Sequence, residues 1–348
     1  MNRNLILGAV AAAVAVAVVI VLAVGPGGGR DASGLTRVSF ATDWKAQAEH
    51  GGFYQALANG YYAEAGLDVK IVQGGPGINV PQLLAAQAVD FGIGSNNFIP
   101  LNIVVAGAGA RAVMATFQKD PQVFITHPRE DVKSIADMKG KPIMVSDATV
   151  SAFWQWLKAK YGFEDSQIRK YTFNLAPFLT DPSAIQQGYL SSEPYMIRKE
   201  AGIEPQVFLL SDYGYPGYAA VILAADRTIA ERPEAVQAFV DASIRGWVSY
   251  LHGDPAPANA LIKRDNPEMT DDVIANAISM MKKYGIVEAG GTATLGIGAM
   301  TEARWKDFYL TMVTAGVYSA GLDVHSAYTL EFVNQGAGLD LKKQLTGE

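Results

Sequence analysis

The chain has 348 residues, 49% of them apolar and 18% charged. That is enough apolar material for real cores, which excludes a disordered chain, and the length suits two domains. Cysteine is absent, excluding disulfide scaffolds, thiolate metal sites, iron–sulfur clusters and a cysteine nucleophile, and a net charge of −6 without any Lys/Arg run argues against a nucleic-acid partner.

Met1 to Asn4 carry one charge, Arg3, and residues 5–24 are uncharged and almost all Ala, Val, Leu and Ile. Gly25-Pro26-Gly27-Gly28-Gly29-Arg30-Asp31 then breaks the run. A positive start, an apolar stretch and small residues make an export signal. The stretch is also just long enough to span a bilayer. Ala23-Val24-Gly25 offers a small-x-small cleavage pattern, although Pro26 beside it is awkward. Residues 1–34 are therefore read as a signal peptide or an N-terminal membrane anchor with a Gly-rich linker, cleavage being favoured. Either way the remainder is exported to the periplasm or cell envelope.

Arg37 to Thr42 alternates and reads as a strand, and Gly51 to Glu64 as a helix ended by Gly66. Asp68–Val72 is a second strand, Val80–Val89 a helix, Phe91–Gly94 a strand, Phe98–Ala106 a helix and Val113–Phe117 a strand. Strands joined by connections of helix length predict a parallel sheet. The pattern restarts with strands at 123–126 and 142–145, a helix over Ser151–Tyr161, and strand candidates at 171–173, 189–190, 207–210 and 218–224. After that the chain turns helical. Val236, Phe239, Val240, Ile244, Trp247, Val248 and Leu251 form one apolar stripe. Thr270 is placed to cap a helix running through Tyr284, and Thr301–Ala315 is a last long helix.

Motifs for covalent chemistry do not emerge. His50, His127, His252 and His325 have no metal-binding spacing, and no nucleophile elbow or P-loop occurs. Gly74-Gly75-Pro76-Gly77 lacks the dinucleotide spacing. No metal site, cofactor or catalytic residue is expected. Aromatic and polar residues gather instead at the ends of predicted strands, where open α/β sheets bind ligands. The candidate contacts are Trp44, His50, Gly52, Tyr54, Gly75, Ser95, Asn96, Gln118, Trp154, Asn174, Glu193, Tyr195 and Tyr215. Several have a purely structural alternative. Trp44 suits a core corner, Gly51-Gly52 close helix packing, Ser95-Asn96-Asn97 a helix cap and Glu193 a loop charge. Trp154 and Trp156 face different ways, so at least one belongs to core or surface. Tyr213 to Gly217 reads as a hinge or a wall.

Asp43-Trp44, Glu49-His50-Gly51-Gly52-Phe53-Tyr54-Gln55-Ala56, Gly60-Tyr61-Tyr62 and Gly66-Leu67-Asp68-Val69 resemble the N-terminal pattern of the thiamine-pyrimidine-synthase-like solute-binding proteins. Those belong to the nitrate/sulfonate/taurine class of ABC-transporter binding proteins. Gly74-Gly75, Val89 to Gly92, Asp137 to Pro142 and Gly188-Tyr189-Leu190 with Ser192-Glu193-Pro194 match more weakly. The resemblance implies an α/β, type II periplasmic-binding fold: two lobes with a ligand cleft between them. Residues 35–118 and 219–348 would form lobe one, and 119–218 lobe two. It further implies an ABC importer's binding component, monomeric, with a membrane permease as partner. The solute would be small, planar and nitrogen-containing, a pyrimidine thiamine precursor or similar heterocycle. None of the candidate contacts is Lys or Arg, which argues against small anions. One branch of the family makes the thiamine pyrimidine by consuming its own histidine, at the position of His50, and carries a cysteine-rich iron-binding run. The lack of cysteine and the export signal argue against that enzyme. A membrane-anchored ligand-sensing domain is the other alternative.

Overall fold

The computed structural model describes residues 29–347, so the expected signal or anchor lies almost wholly outside the described residues. Among the described residues ten strands form two five-stranded sheets. The strands are β1 Thr36–Ala41, β2 Leu67–Val72, β3 Phe91–Asn96, β4 Ala110–Phe117, β5 Gln122–Thr126, β6 Ile143–Val145, β7 Ile168–Lys170, β8 Ile185–Tyr189, β9 Gln206–Leu209 and β10 Ala219–Ala225. The described helices of eight residues or more are α1 Gly51–Ala58, α2 Phe98–Val105, α3 Phe153–Tyr161, α4 Glu193–Ala201, α5 Pro233–His252, α6 Ala256–Asp265, α7 Asp271–Lys283, α8 Glu302–Thr314 and α9 Leu339–Thr346. Among the described residues, no helix is long and apolar enough to cross a membrane.

The first sheet has the order β2-β1-β3-β10-β4 and the second β7-β6-β8-β5-β9. β1 pairs in parallel with β2 and β3, as the helix-length connections require. The expected all-parallel sheet is interrupted, however. β10 enters antiparallel between β3 and β4. Its continuous apolar run, buried from Ala219 to Ala224, suits a central strand covered on both faces. In the second sheet β5 is likewise antiparallel to β8 and β9.

Local chemistry explains the other departures. The helix expected over 51–64 breaks at Gly60, whose φ of +76° a residue with a Cβ resists, and Tyr61–Glu64 adds one separate turn. Residues 171–173 are not a strand, because Phe173 takes φ +60° and turns the chain away. Thr270 precedes α7 without capping it through its side chain. The seven-residue stripe of α5 is buried in full. Its Phe239 stacks on Phe91 at 4.2 Å and meets Phe40 at 5.2 Å. The C-terminal region covers the first sheet's far edge: Thr329 N–H donates to Ala112 at 2.9 Å, and Tyr328 stacks on Trp305 of α8 at 4.9 Å.

Two segments cross between the sheets, one between β4 and β5 and one between β9 and β10. Arg304 of α8 holds both. Its guanidinium donates to the carbonyl of Gln118 on one, and to those of Pro216 (3.2 Å) and Gly217 (3.1 Å) on the other, while lying 4.0 Å over the Tyr218 ring. Asp120, on the first crossing, is 1% exposed. One of its carboxylate oxygens accepts from Gln122 N–H at 3.0 Å and the other has no partner.

Burial pushes the Asp120 carboxyl up to about 7, opposed only by the Gln122 hydrogen bond. The folded chain then holds a proton that the unfolded chain releases near pH 4. The stability contributed by Asp120 is therefore full below about pH 4 and lost as pH rises through about 7. Denaturant titrations from pH 4 to 8 should show this decline in the native protein, and Asp120→Asn should flatten it. A decline of equal slope in the variant would refute the assignment.

Candidate ligand site

The site is a seam between the carboxyl ends of strands from the two sheets. On the first lobe the loop after β1 supplies Asp43 and Trp44. Asp43 is held from two sides: Ser95 Oγ donates to it at 2.6 Å, and His50 Nε2 lies 3.4 Å from its other oxygen. His50 is 3% exposed, and its Nδ1 is buried without a hydrogen-bond partner. A cavity of about 80 Å³ opens beneath Asp43 and Ser95, lined by Ile78, Val80, Ile93 and Ile99. A larger cavity, beside Met144, Arg169, Asp181 and Ile185, lies at the other end of β8 from Tyr189 and away from the seam.

On the second lobe, Phe173 packs on Trp44 at 4.8 Å and on Tyr171 at 5.1 Å, making an aromatic path across the seam. Phe173 is 49% exposed. Its left-handed backbone costs roughly 1–3 kcal/mol, and one aromatic pair returns about 0.5–1.5. The two aromatic contacts of Phe173, on Trp44 and Tyr171, are together of the size needed to offset the strain. Tyr171 OH donates to Glu193 at 3.2 Å, and Tyr189 N–H donates to the other Glu193 oxygen at 2.7 Å. Gly188 makes room for this carboxylate, since a Cβ there would lie 3.3 Å from it and 2.5 Å from Ile125. Burial raises the Glu193 carboxyl, and nearby Glu49 adds to the rise. Tyr189 lies among carboxylates from both lobes. Burial first, then Asp120, Asp43, Glu49 and Glu193, holds its hydroxyl proton well above the ordinary range. The seam is thus aromatic and acidic, which suits a planar ligand that donates hydrogen bonds.

Of the residues expected from sequence, Trp44, His50, Ser95 and Glu193 meet along this seam. The others have different work. Gly52 faces α5, where a Cβ would fall 2.1 Å from the Trp247 ring, so it serves close helix packing. Tyr54 is fully buried, and its hydroxyl donates to Asp265 at 3.1 Å. Trp154 belongs to the second lobe's core, with its indole N–H donated to Asp165 at 3.0 Å. Gln118 spends both amide hydrogens on the carbonyls of Ala115 and Ala299. Asn96 and Asn174 accept from the backbone N–H two residues ahead, as helix-start residues. Tyr195 donates to Asp272 at 2.5 Å. Tyr215 is buried between Trp156 (5.3 Å) and Phe308 (6.2 Å), a hinge wall. Gly75 borders open space, and it is Gly74 that the backbone of Thr42 crowds.

Sequence reasoning missed Tyr171, Phe173, Tyr189 and the role of Glu49. Its signal lay in aromatic residues read only as strand formers. Asn97, open from sequence to a ligand contact or a helix cap, does neither with its Oδ1, which accepts from Tyr218 N–H at 2.6 Å and ties down the returning chain.

Two five-stranded α/β sheets joined by paired crossings, with the seam between them, define a periplasmic-binding-protein fold. The chain belongs to the NMT1/THI5-like family, whose pattern matches residues 47–258, more than half its length. It is 26% identical to the riboflavin-binding protein RibY of Chloroflexus aurantiacus, over 87% of this chain and 88% of that one. It is also 26% identical to the formylaminopyrimidine-binding protein of Halalkalibacterium halodurans, over 67% and 72%. Among solved structures, the periplasmic aliphatic sulphonate binding protein SsuA from Escherichia coli has a TM-score of 0.63 at 14% identity, covering 84% of this chain and 92% of that one. The last likeness is one of fold alone.

Gly52→Ala should destabilise the protein by about 2 kcal/mol or more, because the new methyl overlaps the Trp247 ring and overpacking typically costs about 1–3 kcal/mol. Urea unfolding measures this, and a loss below about 0.5 kcal/mol would contradict the packing role.

Proposed function

We propose that this chain is the exported solute-binding component of an ABC importer. It takes a small, planar, nitrogen-containing heterocycle into the seam between its lobes and delivers it to a membrane permease. The observation that carries the reading is the aromatic path Trp44–Phe173–Tyr171 ending on Glu193. The path draws from both lobes, so a ring seated on it gains contacts only when the lobes close. The ligand then binds the closed arrangement better and shifts the population toward it. Trp44 and Phe173 offer ring faces, Glu193 an acceptor, and His50 Nδ1 a polar atom without another partner. The acidic surroundings of Tyr189 disfavour nitrate and sulfonates. The names of the two relatives, which bind riboflavin and formylaminopyrimidine, support a heterocycle. No covalent step is assigned to the site. The division at residues 118/119 and 218/219 is part of this proposal, each lobe moving as a unit about the crossings.

A thermal-shift panel tests the reading, using protein unfolded and refolded to remove any carried ligand. Riboflavin, formylamino- and hydroxymethyl-pyrimidines, nucleobases, nitrate, taurine and alkyl sulfonates would be compared. A ligand at 100 times its Kd adds about 2.7 kcal/mol and raises the midpoint visibly. A heterocycle is expected to do so, and Trp44→Ala and Glu193→Gln should each weaken its binding about ten-fold or more, through lost stacking and a lost charged acceptor. A rise with a sulfonate or nitrate alone would overturn the aromatic, acidic seam as the basis of recognition.

A further inference from the structure

Helices α4 and α7 meet at the rim of the seam, and the spacing of their polar residues makes the meeting specific. Tyr195 and Lys199 are four residues apart and so share one face of α4. Both donate to the same oxygen of Asp272 in the first turn of α7, Tyr195 OH at 2.5 Å and Lys199 Nζ at 2.8 Å. The other Asp272 oxygen accepts from Thr270 Oγ1 at 2.6 Å, which holds the carboxylate in place. Asn276, four residues further along the same face of α7, donates to the Ser191 carbonyl at 3.2 Å. Ser191 Oγ in turn donates to the buried carboxylate of Glu49, in the short turn Ala48–His50 that precedes the first lobe's α1.

Another face of α7, with Val273, Ala277 and Met281, is buried, and Lys282 Nζ donates to the Leu251 carbonyl of α5 at 2.9 Å, which ties the helix to the first lobe. Its far end reaches the crossings. Lys119 Nζ donates to the Tyr284 carbonyl at 2.9 Å, and Gln118 N–H to that of Ile286 at 2.6 Å. Thirteen residues at about 1.5 Å each separate the two ends by roughly 20 Å. Opening about the crossings therefore parts the α4–α7 contacts early and over a long arm. The side chains of Lys199 and Asp272 are 41% and 47% exposed, so water and salt compete for the pair.

We propose that Asp272, with Tyr195 and Lys199, is a latch between the lobes that favours the closed arrangement without touching the solute. Its bearing on solute release rests on the solute-binding reading; the latch itself does not. The chain has no cysteine, so Asp68→Cys and Lys139→Cys place one spin label on each lobe with no background. Pulsed dipolar distances on the full chain then report opening with no solute present.

At low salt, Asp272→Asn is expected to raise the ratio of open to closed molecules by roughly five-fold, the upper range for an exposed pair. Salt of about 0.5 M should have a similar effect on the native latch and little further effect on the variant. The exchanged pair Asp272→Lys with Lys199→Glu should restore much of the closed population, which a merely structural role for either residue would not do. Identical distance distributions for the native latch and Asp272→Asn at low salt would overturn the proposal. If the distances respond but no heterocycle of the thermal-shift panel raises the melting midpoint, the solute reading fails and the latch stands.

Discussion

The guanidinium of Arg304 touches both crossings. It donates to Gln118 on the outgoing segment and to Pro216 and Gly217 on the returning one, with its face on Tyr218. Desolvation lowers its pKa, and the Tyr218 ring and these carbonyls compensate the buried charge. Because β10 returns to the middle of the first sheet, between β3 and β4, the two crossings must run side by side. Arg304 satisfies their carbonyls where neither sheet can.

The seam differs from a domain core in the groups it gathers. In the first lobe's core Phe40 and Phe91 pack their rings against Phe239. At the seam a strained Phe173 stays half exposed, His50 keeps an unpartnered nitrogen, and carboxylates of both lobes surround Tyr189. Folding alone gives no reason to gather such groups, since each costs stability where it stands. A ligand that stacks and donates hydrogen bonds would relieve them together.

Much of the fold was legible because its signals are local. The α5 stripe, the strands of the first sheet and the glycine stop at Gly66 follow from periodicity and backbone freedom. The site was less legible. Trp154 and Tyr54 share the residue types of a ligand wall, yet their polar tips find Asp165 and Asp265 within the fold. Gly51-Gly52 has the look of an anion-binding helix start, and the Trp247 and Tyr250 rings occupy that space instead. Residue type indicates what a side chain can do, and only its neighbours decide whether that capacity is already spent.

By itself the sequence determined the two α/β units, the absence of thiolate chemistry and the positions of Trp44, His50 and Glu193 as polar and aromatic punctuation after strands. The tertiary structure decided which of these share a surface. The insertion of β10 antiparallel into the first sheet, the meeting of Trp44 with Phe173 across 128 intervening positions, and the α4–α7 contact all join residues remote in sequence. Such pairings depend on strand order and helix packing, which are collective properties of the cores. No local pattern encodes them.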